Sequence, residues 1–198
     1  MYLKLGDICT IESGLILSRK RARNEMEIKR YYKVLTLNNT EPHGDFNEKG
    51  LEQFPSNEVL QERYFTKIGD VLIRLNEPYT SVCIQRHQEN VLIPSYFVSL
   101  EITDDHFLPE YVSWFLNSNI VKRQFYQAQS GTRTPNINQH VIRNLNIPKI
   151  HLYEQEKITA IHQLYVKERR LLTQLIEEKD RYYKAITNHL IERQMEEL

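Results

Sequence analysis

Residues 154–198, EQEKITAIHQLYVKERRLLTQLIEEKDRYYKAITNHLIERQMEEL, contain neither glycine nor proline. Apolar residues recur there at helical spacing, and charged residues fill most of the other positions. At about 1.5 Å rise per residue, the stretch predicts one helix roughly 65 Å long. Helices in globular domains usually have about three or four turns. This helix therefore needs a partner along its length, either a second copy of the chain or another protein.

The composition indicates one ordinary domain, residues 1–150, followed by the helix, residues 151–198. The 26 Lys and Arg balance the 26 Asp and Glu, and 40% of the residues are hydrophobic. This balance argues against disorder and against a basic protein that coats nucleic acid, although it allows a local basic patch. We find no apolar run of the roughly 20 residues that a membrane span needs, and no signal peptide. We expect a soluble, cytoplasmic protein with reduced Cys9 and Cys83.

Short runs of β-branched and aromatic residues predict strands within residues 1–150. The expected strands lie within 2–14, 32–37, 71–73, 80–84 and 91–100, and short helices are expected at 109–116 and 120–126. The predicted fold class is α+β. It comprises a mixed, mostly antiparallel, β-rich domain and a long C-terminal helix.

The densest positive cluster contains Arg19, Lys20, Arg21 and Arg23. Such a run forms either a solvated helix or loop face or a surface that contacts phosphates, where each cation adds salt-sensitive affinity. The chain also contains 12 Tyr, several of them beside charged residues. This pattern is typical of a surface that binds a planar or polar partner.

The peptide Asn76-Glu77-Pro78-Tyr79 differs by one residue from the Asn-Pro-Pro-Tyr loop with which adenine methyltransferases hold a flipped base. Those enzymes also need a glycine-rich turn for their cofactor, and the six glycines here never form a GxG arrangement. A proline turn between strands is the simpler interpretation. The His, Cys and acidic residues show no metal-ligand spacing, and we find no nucleophile elbow or phosphate loop. The sequence therefore predicts no enzyme.

Several short motifs occur together in a fixed order. They are Lys4-Leu5-Gly6-Asp7-Ile8 with Gly14, Gly69-Asp70-Val71-Leu72-Ile73, Ser130-Gly131-Thr132, Leu145 with Ile147-Pro148, and Glu154-Gln155 with Ile158. With the terminal helix, they make the chain resemble half of a specificity (S) subunit of a Type I restriction–modification enzyme. Two departures accompany the resemblance. Full-length members carry two recognition domains and two helices, and Asn76-Glu77-Pro78-Tyr79 replaces a glycine-containing turn.

The resemblance implies a non-catalytic subunit in which residues 1–150 are a DNA target-recognition domain. Methyl transfer and cleavage would belong to partner methyltransferase and restriction (helicase-nuclease) subunits. S-adenosylmethionine would bind the methyltransferase, with no cofactor in this chain. Because only one domain and one helix are present, we expect a coiled-coil-like homodimer that rebuilds the two-domain arrangement. Each domain would then read one half of a bipartite target in double-stranded DNA.

The same resemblance suggests roles for individual residues. Arg19, Lys20, Arg21 and Arg23 are expected to contact the DNA backbone, which positions the protein without specifying sequence. Base edges are read by planar or bidentate groups on loops. The expected base-reading residues are Arg74, Asn76, Tyr79, Thr132, Arg133 and Asn136.

The expected dimer helix uses Ile158, Ile161, Tyr165, Leu172, Leu175, Tyr182 and Ile186. Its heptad pattern is imperfect, because Lys179 interrupts the register and Leu164 and Leu171 lie on a flank. A stripe this wide suits a bundle or a methyltransferase-docking face at least as well as a strict coiled coil. The alternative function is a coiled-coil interaction adaptor or inhibitor, derived from such a subunit, that no longer reads DNA.

Overall fold

The computed structural model describes residues 1–128 and 137–196 and confirms the α+β prediction. The strands are β1 (Tyr2–Lys4), β2 (Cys9–Ser13), β3 (Arg30–Val34), β4 (Glu52–Ser56), β5 (Val71–Arg74), β6 (Ser81–Cys83), β7 (Phe97–Ile102) and β8 (Asn146–Pro148). The α-helices are α1 (Leu5–Ile8), α2 (Pro109–Leu116), α3 (Asn119–Ala128), α4 (Gln139–Arg143) and α5 (Leu152–Glu196). Short 3₁₀ turns occupy many of the connections.

The largest sheet has four antiparallel strands in the order β2-β7-β5-β6. Strand β5 is apolar at Val71, Leu72 and Ile73, all fully buried, as expected of a strand covered on both faces. Gly69 precedes it with φ +81°, a left-handed conformation that glycine adopts without steric cost. The sequence predicted this buried strand and the turn before it.

Two smaller antiparallel sheets accompany the main one. Strand β1 pairs with β8, which brings the N-terminus beside the segment that leads into α5. Strand β3 pairs with β4 over five positions, from Arg30 opposite Ser56 to Val34 opposite Glu52. Strand β4 was not predicted from the sequence, and β3 begins and ends earlier than the predicted 32–37 strand.

The predicted strand at 91–100 is correct only in its second half, where β7 begins at Phe97. Its first half makes only isolated bridges: Leu92 bridges Val34 and Phe65, and Pro94 bridges Leu15. Pro94 has no N–H to donate to a ladder. Gly14 packs closely against this segment. A larger residue would clash there, because an added Cβ would lie 2.2 Å from the Pro94 carbonyl oxygen.

Helices α2 and α3 complete the core on one side of the main sheet. Tyr111, Val112, Leu116, Val121 and Phe125 are buried in one cluster with residues of β5 and β7. The Tyr111 hydroxyl donates to the Pro148 carbonyl oxygen at 3.0 Å, which ties α2 to β8. Burial raises the pKa of this phenol to about 12, so it stays a protonated donor.

Gln155 fixes the first turn of α5 to the domain. Its side chain is fully buried. Its Oε1 accepts from Leu108 N at 2.8 Å, and its Nε2 donates to the carbonyl oxygens of His106 (2.6 Å) and Ile150 (3.0 Å). Ile158 also packs against the core. The chain divides into two compact units, Met1–Thr159 and Ala160–Leu198, so the start of α5 belongs to the first unit.

The second unit, Ala160–Leu198, is helical over its described length, as the sequence predicted. None of the side chains described between positions 160 and 195 is buried. Its exposed apolar residues include Ile161, Leu164, Tyr165, Leu171, Leu172, Leu175, Ile176, Tyr182, Tyr183, Ile186 and Leu190. Within residues 1–128 and 137–196, no helix is both long and apolar enough to cross a membrane.

Candidate nucleic-acid interface

One end of the four-stranded sheet collects several polar segments. Ser13 at the end of β2 lies opposite Val98, and Arg74 at the end of β5 lies opposite Phe97. Ser81, which begins β6, lies opposite Ile73. The loop between β5 and β6 therefore lies at the same sheet end as the segment that follows Ser13.

Arg74 and Asn76, two of the predicted base-reading residues, contact each other in the β5–β6 loop. The Arg74 Nε donates to the Asn76 Oδ1 at 2.8 Å. Both side chains are half-buried. Partial burial lowers the pKa of the Arg74 guanidinium, which nonetheless remains a cation. The pair therefore presents guanidinium and amide donors, groups suited to base edges, in a fixed mutual orientation.

Helix α3 holds this loop from the other side. The Lys122 ammonium donates to the Pro78 carbonyl oxygen, and the Tyr126 hydroxyl donates to the Glu77 Oε1 at 2.9 Å. Burial lowers the pKa of Lys122. The hydrogen bond to Glu77 raises the pKa of Tyr126. Residues more than 40 positions along the chain thus fix the loop conformation.

Tyr79, the third residue predicted in this loop to read bases, has no exposed surface. Its ring packs edge-on against Phe125 and Tyr126, each at a centroid distance of 5.6 Å. Its backbone has φ 53°, a left-handed conformation that is uncommon for a residue other than glycine. The ring therefore packs the loop against α3 and presents no surface to a base in this structure.

The other predicted base-reading residues, Thr132, Arg133 and Asn136, lie outside the described residues. The first residue described after them is Ile137, whose backbone N donates to the Leu75 carbonyl oxygen at 2.9 Å. Leu75 immediately follows Arg74. The chain therefore returns to the β5–β6 loop directly after the segment that contains these three residues.

The predicted backbone-contacting cluster lies on the connection from β2 to β3. Arg19, Arg21 and Arg23 are exposed, and Lys20 is half-buried. Lys20 pairs with Glu58 at 2.9 Å. The Arg21 guanidinium lies 5.1 Å from the Phe54 ring centroid. Arg19 and Lys20 both line a cleft.

This cleft has a volume of about 430 Å³ and is open to solvent. Its polar lining comes from three separate parts of the chain, namely Glu12, Ser13, Arg19 and Lys20, then Arg63 and Tyr64, and then Gln139. Sequence reasoning missed Arg63, Tyr64 and Gln139. The dipeptide Arg63-Tyr64 carries the charged-beside-tyrosine pattern, but nothing in the sequence places it beside Arg19.

The described residues contain no group of three His, Cys, Asp or Glu that could hold a metal ion. Both cysteines are free thiols. Burial raises the pKa of Cys9 to about 12 and that of Cys83 still further. Since the thiolate is the reactive form, neither thiol is suited to nucleophilic chemistry at neutral pH.

The sequence model of a family described as Type I restriction modification DNA specificity domain matches residues 1–178. The crystal structure of the HsdS subunit from Thermoanaerobacter tengcongensis is similar, with a TM-score of 0.64 at 16% identity over 88% of this chain and 44% of that chain. A second solved structure, described as the structural basis of complex assembly and conformational transition of the type I R-M system, gives the same TM-score, identity and coverages. The crystal structure of the Type-I restriction-modification system S subunit from M. genitalium gives a TM-score of 0.53 at 13% identity. The match covers 91% of this chain and 43% of that chain. No curated protein matches the sequence.

At these identities the structural likeness establishes a shared fold. The chain spans less than half the length of these solved proteins.

Proposed function

Because this chain belongs to the family of Type I restriction modification DNA specificity domains, we propose that it reads one half of a bipartite DNA target. Two copies pair through α5, so that each dimer carries two recognition units. The chain itself is not a catalyst. Methyl transfer and cleavage belong to methyltransferase and restriction subunits, and S-adenosylmethionine binds the methyltransferase.

The observation that carries this proposal is the braced β5–β6 loop. A loop that reads bases must hold its side chains in place before DNA binds, because ordering them on binding costs affinity. Here Lys122 and Tyr126 hold the loop, and the 2.8 Å hydrogen bond to Asn76 orients Arg74. Arginine contacts guanine and asparagine contacts adenine by paired hydrogen bonds. We assign base reading to Arg74 and Asn76, and an anchoring role to Tyr79.

Thr132, Arg133 and Asn136 are retained in the proposal as further base-reading residues. They are supported by the hydrogen bond from Ile137, the first described residue after them, to Leu75 in the β5–β6 loop. The exposed Arg19, Arg21 and Arg23, with Lys20, contact phosphates and set the register of the recognition unit on the duplex. Lys20 contributes less, because Glu58 already neutralises it.

The exposed apolar side of α5 supports pairing. Leu172, Leu175 and Ile186 are between 41% and 53% exposed in the single chain. A second copy is the occupant we propose for this side, because an identical helix presents the same row of apolar side chains for packing. Helices paired in this way hold two recognition units at a fixed separation, which sets the half-site spacing. The remaining face of the helix is left for the methyltransferase.

Co-expression with the cognate methyltransferase, followed by mapping of methylated adenines, tests the proposal. A symmetric dimer should yield methylation at an inverted repeat with a constant unread spacer. Analytical ultracentrifugation of the chain at micromolar concentration should show a dimer. A strict monomer would contradict the pairing. A dimer without any duplex preference would instead favour the interaction adaptor or inhibitor.

A further inference from the structure

The cleft between the Ser13–Lys20 connection and the Arg63 turn is lined by several cationic side chains, unlike the β5–β6 loop. Its lining contains three cationic side chains, Arg19, Lys20 and Arg63, and one acidic side chain, Glu12. Lys20 is paired with Glu58, so the excess of positive charge comes from the two arginines. An open cleft with this excess of positive charge attracts an anion. The cleft is also polar, with the Ser13 and Tyr64 hydroxyls and the Gln139 amide in its lining.

Arg63 is held in place before any ligand arrives. One of its terminal nitrogens donates to the Tyr64 hydroxyl at 2.7 Å. Its guanidinium carbon lies 4.7 Å from the centroid of the same ring, a cation–π contact. A guanidinium has five N–H donors in a planar fork. After the bond to Tyr64, the fork still has enough donors for a bidentate contact with phosphate oxygens.

The opposite side of the cleft is held by a contact between distant segments. The Gln139 Nε2 donates to the Ser13 Oγ at 2.8 Å, which joins the start of α4 to the end of β2. Ser13 lies at the sheet end that also carries Arg74. The cleft and the proposed base-reading pair are therefore attached to the same end of one rigid sheet.

We propose that this cleft binds a phosphodiester group of the target DNA next to the bases that the β5–β6 loop reads, with Arg63 and Arg19 as the phosphate ligands. The inference rests on the proposed function, and it adds Arg63 and Tyr64 to the DNA-binding surface. Phosphate is favoured over a base edge because two arginines, Arg19 and Arg63, line one cleft, whereas base reading uses isolated bidentate groups. Tyr64 positions the guanidinium.

The test measures duplex binding by the full-length chain in complex with its methyltransferase, by fluorescence anisotropy over a range of KCl concentrations. Arg63→Ala should weaken binding to target and non-target duplexes alike, by about three- to tenfold at low salt. The slope of log affinity against log salt should become shallower by about 1, as expected for one lost phosphate contact. Arg63→Lys should restore the slope, because it keeps the charge.

Arg86→Ala is the matched control. Arg86 is an exposed arginine in a turn after β6, at the other end of the sheet, where Cys83 lies opposite Val71. The Arg86→Ala variant should bind DNA with the affinity and salt dependence of the wild type. An unchanged slope in Arg63→Ala would overturn the inference while leaving the proposed function intact. Loss of discrimination at one base pair would make Arg63 a base reader and would also overturn it. A wild-type complex that binds no duplex would overturn both proposals.

Discussion

In the unit Met1–Thr159, Leu72, Phe97 and Leu100 have no exposed surface, whereas in Ala160–Leu198 Leu172 and Leu175 are 53% and 52% exposed. The first unit buries its apolar residues against its own strands and helices. The second is a single helix with nothing of its own to pack against. The same residue type therefore stabilises the fold in one unit and remains available to a partner in the other.

Ion pairs along α5 do not compensate for the apolar contacts that the second unit lacks. Two ion pairs of α5, Lys157 with Glu154 and Arg181 with Glu178, join exposed side chains about one turn apart. Such pairs contribute only about 0.3–0.5 kcal/mol each. An isolated helix is marginal in water even when its sequence favours helix. Under the proposed pairing, contacts with a partner would supply most of the stability of the second unit, whereas the first unit has a core of its own.

The largest expected effect comes from one substitution made in both units. Leu72→Ala should lower the free energy of unfolding of the first unit by about 3 kcal/mol, because it leaves a cavity in a closed core. Leu172→Ala should change that free energy by less than about 0.5 kcal/mol. Urea unfolding monitored by tryptophan fluorescence reports this unit alone, because the single tryptophan, Trp114, lies in α2.

Both variants are compared with the wild type at one protein concentration, because dimerisation adds a concentration-dependent term to stability. Equal losses in the two variants would contradict the division into a self-sufficient unit and a helix that depends on a partner.

The second prediction concerns the helix. Leu172→Glu should raise the dissociation constant of the dimer at least about tenfold, because an unpaired carboxylate at a buried interface is costly. Gln174→Glu adds the same charge about 200° round the helix axis and should leave the constant nearly unchanged. Sedimentation equilibrium over a range of concentrations measures both. Equal effects would indicate general charge repulsion rather than one apolar pairing face.

The third prediction separates target choice from spacing. Arg74→Ala should reduce the ratio of target to non-target affinity by about tenfold, which lies within the roughly 1–3 kcal/mol of one bidentate base contact. Arg74→Lys should lose the same discrimination while keeping non-specific affinity, since lysine lacks the planar fork. Leu172→Glu should leave the preferred half-site bases unchanged. Competition binding with single-base variants of the half-site is the measurement.

Features with a local signal were predictable from the sequence. The long helix follows from the absence of Gly and Pro together with apolar spacing, and β5 follows from a turn and an unbroken apolar run. Strand β4 has no such signal, because its sequence, Glu52-Gln53-Phe54-Pro55-Ser56, contains one buried apolar residue and a proline. Pairing with β3 makes it a strand.

The candidate site depends more on contacts between distant residues. Local reasoning placed Tyr79 on a loop, but its burial comes from Phe125 and Tyr126 in α3. The cleft likewise joins Arg19, Arg63 and Gln139 from three segments. Residue type and turn chemistry nominated Arg74 and Asn76 as candidates, and their base-reading role stays a prediction. Only the tertiary structure shows which residues brace them.

The smallest expected effect concerns Asp70, a buried carboxyl group. Burial raises its pKa above the ordinary 3.8, although hydrogen bonds from Lys67 N (2.9 Å) and Ser99 partly offset that effect. Because the folded-state pKa lies above the unfolded value, the associated stability is present at low pH and is lost as the pH rises through the folded pKa. Asp70→Asn can still accept the hydrogen bond from Lys67, and it carries no charge to bury. It should therefore stabilise the first unit slightly at pH 7, where the wild-type carboxylate is charged at a site whose burial disfavours the charge.

This gain should shrink between pH 7 and pH 4, because the raised pKa makes the folded state take up a proton at a higher pH than the unfolded chain does. Urea unfolding followed by Trp114 fluorescence at the two pH values measures the difference. A gain of equal size at both pH values would show that the charge of Asp70 is not its source. Because Asp70 lies immediately before β5 in the first unit, Asp70→Asn should leave the dissociation constant of the dimer unchanged at both pH values. A shift in that constant would instead couple the core of the recognition unit to the pairing of α5.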